Sequence, residues 1–344
     1  MVAGILDYSV YIPKYRIKAE EIRKSWGEFL GAGVNEKAVC FPDEDVITMA
    51  CEACMGVAKR GLVDVDEVKA IFFATTSSHY VEKELASTLA TVLGATRAFT
   101  VNLGYSTKSG TSALISALKY VSDSNEKALV VAADAPRSSI FDPLEHEAGC
   151  GAAAFVVQGG AEGAIAFLED FASASYEALG DRFRVDGEKR PRSLDVRAYN
   201  VKVLRQLATD CVNNLLSKLN RNIDAYDHII FTPPIDGGRA SIDVVRSMGG
   251  SPDKVTKTTM SSFVGDCGCA LPLISLAHVL ENSKPNEKIL LISYGYGGGC
   301  DALSFVTTEK VLRAQSKDFK VKDYLESKKY IDFKTYLRYR GLIE

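Results

Sequence analysis

Two short runs of consecutive apolar residues, Ala70 to Phe73 and Ile289 to Ile292, occur in this chain of 344 residues. Continuous apolar runs of this length are typical of strands in a sheet that is covered on both faces. Between them, Leu114, Leu118 and Val121 recur at the spacing of one helix face. The pattern therefore predicts an α/β protein whose strands are buried between helical layers.

The order of elements in the first half repeats in the second half. Four kinds of segment correspond, namely a strand, a helix, a second strand and a glycine turn with its following strand: 68–76 and 227–234, 114–116 and 273–275, 128–132 and 289–293, and 149–157 and 299–307. A period of roughly 150 residues is too long for a solenoid. We therefore expect two copies of one α/β domain, an N-terminal half at 1–160 and a C-terminal half at 161–344.

The segment 104–111 combines two glycines with hydroxylated residues and leads into an apolar helix at 108–121. A side chain at such a turn lies among the free N–H groups of the helix, which lower the pKa of a thiol and stabilise an oxyanion. Thr107 is the residue best placed for this role. If the helix at 267–280 packs beside the first one, both N-termini converge on one pocket. We expect that pocket to be lined by the loops 74–80, 104–108, 232–238, 263–269 and 294–300.

Charge and composition exclude several classes of partner. The formal charge of −3 and the lack of a basic stripe argue against nucleic acid. No apolar run approaches the roughly 18 residues that a membrane span requires, and the N-terminus lacks a signal pattern. We expect a cytoplasmic protein. The nearest approach to a basic patch is interpreted as a solvated loop, with an anionic ligand such as a CoA phosphate as the alternative: Arg182, Arg184, Lys189, Arg190 and Arg192.

The eight cysteines and four histidines do not assemble a metal site in the sequence. Cys51 and Cys54 form one close pair and Cys267 and Cys269 another, but no histidine lies at zinc-finger spacing from either. We predict reduced thiols that pack as small apolar residues, and no metal. His146 is expected to be solvated, whereas the loop of His79 could reach the pocket. His228 and His278 are interpreted as core or surface groups.

Several motifs carry a resemblance to a known family. They are the opening Gly4-Ile5-Leu6 to Tyr11-Ile12-Pro13, Pro42-Asp43-Glu44-Asp45, Lys108-Ser109-Gly110-Thr111 and Tyr294-Gly295-Tyr296-Gly297-Gly298-Gly299. With the repeat, they resemble the thiolase superfamily, and more narrowly 3-hydroxy-3-methylglutaryl-CoA (HMG-CoA) synthases over nearly the whole chain. The chain is also similar to the ketosynthase-like subunit without a cysteine nucleophile in complexes of the phloroglucinol acetyltransferase type. The resemblance implies a five-layered αβαβα fold, a dimer, and acyl-CoA chemistry with CoA or acyl-CoA bound noncovalently.

The family's working positions carry other residues in this chain. The resemblance places Thr107 where the synthases have the acyl-accepting cysteine, and Thr76, followed by Ser77, where they have a glutamate acid/base. Thr232 stands at the position of the histidine that orients the acyl acceptor, and Asp266 at that of an asparagine. A threonine hydroxyl needs a strong adjacent base to attack a thioester, and no histidine stands at the matching position. Thr107 is therefore interpreted as unactivated.

A relocated nucleophile is the alternative. Cys150, Cys267, Cys269 and Cys300 fall in loops that are expected to face the pocket, and Cys267, at the start of a helix, is the best of them. Even so, a relocated thiol would still need an acid/base partner.

Two functions therefore compete. In the first, the chain is a catalytically degenerate subunit of an acyl-CoA-dependent C-acyltransferase complex, paired with a thiolase-like catalytic chain and also with a zinc-ribbon/OB-fold protein. In the second, it is an active acyl-CoA condensing enzyme with a relocated nucleophile. A non-condensing acyl-CoA binder is a third reading. We expect an oligomer, and the sequence leaves open whether it is homomeric or heteromeric.

Overall fold

The computed structural model describes residues 3–343 except 161, 179, 189 and 194–196, and for 197–200 it describes the backbone alone. The strands are Ala3–Tyr11 (β1), Tyr15–Lys18 (β2), Glu36–Val39 (β3), Ala70–Ala74 (β4), Phe99–Leu103 (β5), Lys127–Asp134 (β6), Gly151–Gly159 (β7), Ala166–Ser175 (β8), His228–Thr232 (β9), Lys288–Gly295 (β10), Gly299–Thr307 (β11) and Lys329–Tyr330 (β12). The longer helices are Val46–Arg60 (α2), Leu85–Val92 (α3), Ser109–Val121 (α4), Arg197–Leu219 (α6), Arg239–Ser247 (α7) and Leu271–Asn282 (α10). Shorter helices are Ala19–Trp26 (α1), Pro143–Glu147 (α5), Asp253–Thr256 (α8), Ser261–Val264 (α9), Val311–Gln315 (α11), Val321–Glu326 (α12) and Phe333–Tyr339 (α13).

Nine of these strands form one mixed sheet in the order β5-β4-β6-β7-β1-β8-β11-β10-β9. β4 runs parallel to β5 and β6, and β9 runs parallel to β10. The two halves meet where β1 pairs with β8 through Gly4 opposite Phe167 and Ile5 opposite Ala166. The predicted repeat is therefore seen as strands β4, β6 and β7 in one half and β9, β10 and β11 in the other.

Side-chain alternation shows that helices cover both faces of each half. In the first half, Gly56 of α2 lies against Ser9, whereas Gly110 of α4 lies against Ala132. Ser9 is opposite Ala154, which is opposite Val131, so α2 and α4 lie on different faces. In the second half, Leu290 and Ile292 share a cluster with α6, whereas Ile289 and Leu291 share one with α10. The layers are α2, sheet, α4 with α10, sheet and α6, which confirms the expected αβαβα fold.

The two central helices approach each other closely at their N-terminal ends. A Cβ atom at Gly110 would lie only 2.1 Å from the carbonyl oxygen of Cys269. Because real Cβ atoms do not tolerate such a distance, only glycine allows α4 to start against the turn before α10. The predicted convergence of the two N-termini is therefore built into the backbone.

The C-terminal segment packs on the N-terminal half of the chain. β12 joins β2 and β3 in a small second sheet, and Tyr336 of α13 is buried against Ile17, Ile22 and Val39. The division at 160/161 stays a prediction. Among the residues that the structure describes, no helix is long and apolar enough to cross a membrane.

Candidate functional site

Thr107 lies in the turn before α4, as the sequence predicts, and its side chain is buried. Its Oγ1 donates a hydrogen bond of 3.0 Å to the carbonyl oxygen of Tyr294 at the end of β10. Within the described part of the chain, no imidazole, carboxylate or amine is hydrogen-bonded to Thr107. The hydroxyl proton is directed at a backbone carbonyl, which cannot accept it as a general base.

Thr76 lies in the turn after β4 and donates two hydrogen bonds to the buried carboxylate of Asp134. Its Oγ1 donates to Asp134 Oδ2 at 2.8 Å, and its N–H donates to Asp134 Oδ1 at 2.8 Å. Asp134, at the end of β6, also accepts from the hydroxyls of Thr75 and Ser77 and, across the pseudo-symmetric halves, from the N–H of Cys269 at 2.8 Å. This carboxylate therefore ties the turn at Thr76 to the start of α10.

Asp134 is not among the site residues predicted from the sequence. The signal that could have found it is a carboxylate at the end of the apolar run 128–133, where burial requires hydrogen-bonding partners.

Thr232 ends β9 and is paired in register with Ser293 of β10. Both side chains lie on the sheet face that carries Ile230 and Leu291, which is the face covered by α10. Among the described residues, neither hydroxyl has a hydrogen-bond partner, and both oxygens are buried. A threonine at this position therefore places only a neutral hydroxyl beside the central helices and cannot replace a basic imidazole.

Asp266 is held by the backbone between α9 and α10. Its N–H donates to the Glu147 carbonyl at 2.8 Å, and its own carbonyl accepts from the Gly149 N–H at 3.0 Å. Its Oδ1 accepts from the N–H of Gly268 at 2.9 Å. Gly265 permits this close pairing, because its φ is +80° and a Cβ atom there would lie 2.7 Å from the nitrogen of Gly149.

Two carboxyl groups and one arginine meet at this point. Burial, followed by the charge of Asp266, raises the pKa of Glu147 to about 7, although Arg182 opposes the shift. Burial also raises the pKa of Asp266, and the charge of Arg182 again opposes the shift. The Arg182 guanidinium lies 3.8 Å above the ring of Tyr296. The site therefore places a carboxyl group that titrates near neutral pH, that of Glu147, next to a positive charge.

Glu147 gives the protein a predicted pH dependence. Because its pKa is about 7 when folded and near 4.5 in an unfolded chain, the folded state binds the extra proton between these values. Wild-type protein is therefore expected to lose stability relative to a Glu147→Gln variant as the pH rises from about 4.5 through about 7. Urea unfolding at several pH values, followed by the fluorescence of Trp26, measures this difference. An exposed control, Glu126→Gln, should follow the wild-type profile, and a Glu147→Gln profile parallel to wild type would contradict the assignment.

The four candidate thiols are fully buried. Burial, followed by the charge of Asp266, raises the pKa of Cys267, whose Sγ lies 3.7 Å from the carbonyl oxygen of Gly265. Burial raises the pKa of Cys269 and Cys150, and a hydrogen bond to Cys211 followed by burial raises the pKa of Cys300. These surroundings favour the protonated thiol, which is the less nucleophilic form.

The structure corrects one expectation for the histidines. His146 is buried, not solvated: its Nδ1 accepts from the N–H of Leu30 at 3.1 Å, and its Nε2 lies 2.8 Å from the carbonyl oxygen of Ile140. His79 is exposed in the loop after β4.

The arginine-rich segment forms a hairpin closed by Phe183 and Arg192. Arg184 donates to the carbonyl oxygen of Arg137 at 2.6 Å, and Arg190 donates to Ser139 Oγ at 2.9 Å. The hairpin is thereby fixed to the segment before α5, and Arg182 at its base faces Asp266 and Glu147. Lys189, which the sequence analysis grouped with these arginines, lies outside the described residues.

Comparisons with known proteins identify the family. No family model matches the chain. A hydroxymethylglutaryl-CoA synthase of Thermococcus gammatolerans is 32% identical over 340 residues, which cover 98% of this chain and 95% of the relative. The chain belongs to the HMG-CoA synthase family.

Solved structures of HMG-CoA synthases share its fold. MvaS in complex with 3-hydroxy-3-methylglutaryl coenzyme A matches with a TM-score of 0.87 and 18% identity, over 99% of this chain and 92% of that one. The HMG synthase of the curacin biosynthetic pathway, in complex with acetyl donor-ACP, matches with a TM-score of 0.85 and 20% identity, over 99% and 88%. The predicted resemblance to HMG-CoA synthases and to the thiolase fold is confirmed, whereas the resemblance to a cysteine-less subunit stays a prediction.

Proposed function

We propose that this member of the HMG-CoA synthase family is a non-catalytic subunit of an acyl-CoA-dependent C-acyltransferase complex. The observation that carries the proposal is the hydrogen bond from Thr107 Oγ1 to the carbonyl oxygen of Tyr294. Covalent acyl transfer needs a nucleophile that loses its proton to a base as it attacks the thioester. Among the residues that the structure describes, Thr107 is hydrogen-bonded to no base. Thr76 and Thr232 contribute hydroxyls where an acid/base and an imidazole are expected.

The chain is proposed to retain acyl-CoA binding without covalent attachment. The support is the fold shared with an HMG-CoA synthase that was solved with HMG-CoA, together with the arginine hairpin beside the site. Guanidinium groups suit phosphate oxygens in charge and geometry, so Arg184 and Arg190 are the proposed contacts for the CoA phosphates.

Intact-mass measurement after incubation with acetyl-CoA tests the missing nucleophile. Wild-type protein is expected to remain unmodified. A Thr107→Cys variant is expected to gain one acetyl group, because a thiol at the start of α4 is activated by the helix and can displace CoA as its free thiol. Thr107→Ser is the matched control and should stay unmodified like wild type.

The outcomes separate the competing functions. An acetyl group on wild-type Thr107 or Cys267 would overturn the proposal and favour an active condensing enzyme with a relocated nucleophile. Loss of that acetyl group in a Cys267→Ala variant would assign the modification to Cys267. Failure of Thr107→Cys to react while wild type is also unmodified would count against acyl-CoA binding at this site.

The proposed partner is a thiolase-like chain that carries the catalytic cysteine, with a zinc-ribbon/OB-fold protein as a further subunit. β5 lies at one edge of the nine-stranded sheet, and its Phe99 is 56% exposed. Tyr105, two residues after β5, is fully exposed and has a φ of +69°. An exposed apolar strand edge is a ready site for pairing with another sheet, so β5 is the proposed contact.

Native mass spectrometry of the tagged protein purified from its source tests this partner. A stoichiometric thiolase-like chain with a cysteine nucleophile, identified by peptide sequencing, is expected. Phe99→Asp should disrupt that complex, whereas Leu312→Asp, which changes another exposed apolar residue, should not. Recovery of a homodimer alone would contradict the subunit proposal.

A further inference from the structure

The loop between α1 and β3 contains a segment, residues 28–33, that lies at the edge of the site. We call it the lid segment. A Cβ atom at Gly33 would lie 2.9 Å from the Cα of Gly237, so the lid segment is in direct backbone contact with the loop that follows β9. The N–H of Ala32 is near enough to the carboxyl group of Glu147 to oppose the rise in the pKa of that group. The lid segment therefore touches two sides of the site.

Few contacts hold the lid segment in place. Among the residues that the structure describes, no hydrogen bond between backbone groups joins 28–33 to another element. Gly27, directly before the segment, and Gly33, at its end, have φ angles of +95° and +72°. Glycine adopts such angles without strain, and small residues of this kind are suited to act as hinges. Most residues of the segment are exposed, namely Glu28, Leu30, Ala32 and Gly33.

The side chain of His146 attaches the lid segment to α5. The N–H of Leu30 donates to His146 Nδ1 at 3.1 Å, and Nε2 lies 2.8 Å from the carbonyl oxygen of Ile140. A carbonyl oxygen can only accept and a backbone N–H can only donate, so these two groups require the neutral ring with its proton on Nε2. The ring of Phe29 packs on the imidazole with centroids 5.5 Å apart. A second proton, on Nδ1, would point at the N–H of Leu30 and remove the hydrogen bond.

The surroundings of His146 favour the neutral ring. Burial, followed by the charge of Lys37, lowers its pKa, whereas its backbone hydrogen bond and the charges of Glu145 and Glu28 oppose the shift. Burial lowers the pKa of Lys37 on β3 to about 7, so this amine is charged at the pH at which a histidine takes up a proton. Glu145 is already paired with Arg340 of α13. Because the pKa of His146 is lowered while the lid is closed, the closed lid loses stability as the pH falls below about 6.5, the ordinary value for histidine.

We propose that His146 is a pH-sensitive anchor for the lid segment: the neutral ring holds residues 28–33 against α5, and protonation at Nδ1 releases them. The imidazole takes its proton from solvent, and the hydrogen bond to Leu30 is the bond that breaks. Release uncovers the edge of the site at Glu147 and Gly237, so solvent access there increases in acid. The inference rests on the contacts of the lid segment and does not depend on whether the site binds acyl-CoA.

Hydrogen exchange resolved to single amides tests the inference in wild-type protein. After correction for the intrinsic exchange rate, the protection of the Leu30 amide is expected to fall about tenfold from pH 8 to pH 5. The upper limit is roughly 30-fold, which is the ratio of charged to neutral histidine about 1.5 pH units below its ordinary pKa. The amide of Asn35, which donates to the carbonyl oxygen of Ser262 at 3.0 Å, is the internal control in the same loop, because a backbone acceptor does not titrate.

Two variants separate the titration of His146 from the loss of its side chain. His146→Asn keeps an acceptor oxygen near the position of Nδ1 and does not titrate, so Leu30 should stay protected at both pH values. His146→Gln places its amide near the position of Nε2 instead, and Leu30 should be weakly protected at both pH values. Glu147 titrates in all three proteins, so its contribution cancels when they are compared.

Three outcomes would count against the anchor. Equal protection of Leu30 at pH 5 and pH 8 in wild-type protein would overturn the inference, and this comparison needs no variant. The same pH-dependent loss in His146→Asn would also overturn it, because another group would then control the lid segment. A parallel loss of protection at Asn35 would show general unfolding in place of a local release.

Discussion

Replacement of Arg340 by methionine is expected to lower the free energy of unfolding by about 3–5 kcal/mol, because it leaves a buried carboxylate without its main partner. Arg340 Nε and Nη2 each donate to Glu145 at 2.7 Å, and Nη2 also donates to the carbonyl oxygen of Pro136. The two side chains are 5% and 0% exposed. Glu145 lies on α5 beside Glu147, so this pair also fixes the C-terminal segment to the site.

Urea unfolding of the two proteins at pH 7, followed by the fluorescence of Trp26, measures the loss. Arg338→Met, which removes an exposed arginine two residues earlier, should change the stability little. Adding Glu145→Gln to Arg340→Met should recover part of the loss, because the amide carries no unpaired charge. A loss below about 1 kcal/mol in Arg340→Met would contradict the assignment of this pair.

The stabilisation that the Arg340–Glu145 ion pair provides is expected to depend on pH. Burial alone would raise the pKa of Glu145, but Arg340 and Lys37 outweigh burial and hold it at about 2. Because the pKa is lowered on folding, the stabilisation is present above about pH 4.5 and is lost as the pH falls towards 2. The difference between wild type and Arg340→Met should therefore shrink over that interval.

Replacement of Asp134 by alanine is expected to cost about 2–4 kcal/mol, because several donors, one of them fully buried, lose their acceptor at once. The N–H of Cys269 is the most costly of these, since it is buried at the start of α10, whereas Thr76 is exposed and can turn to water. Chemical denaturation measures the loss, and hydrogen exchange should show faster exchange at the Cys269 amide. Thr76→Val, which removes one donor, is the control and should cost less than about 1 kcal/mol. Unchanged exchange at Cys269 in Asp134→Ala would show that this carboxylate does not join the two halves.

The sequence was sufficient to predict the repeat, the apolar strands and the position of Thr107 at the start of α4. These features depend on local patterns: side chains alternate with period two in a strand and recur every three to four residues in a helix. A pattern of this kind also reveals which face of an element is buried, so strands between helical layers could be predicted, and the resemblance to the thiolase superfamily implied the αβαβα order. The four altered family positions were likewise visible in single motifs.

The partner of each polar group was decided by contacts between residues far apart in the chain. Asp134 accepts hydrogen bonds from two separate loops, Glu145 meets Arg340 from the C-terminal helix, and His146 is buried where a solvated position was predicted. Glu147 has a raised pKa because the fold buries it and, to a smaller extent, brings Asp266 near it. Periodicity carries no information on such pairings, since they depend on how complete elements pack and on how much water that packing excludes. The chain's own pattern therefore specifies the layers, whereas tertiary packing determines which protons the site holds.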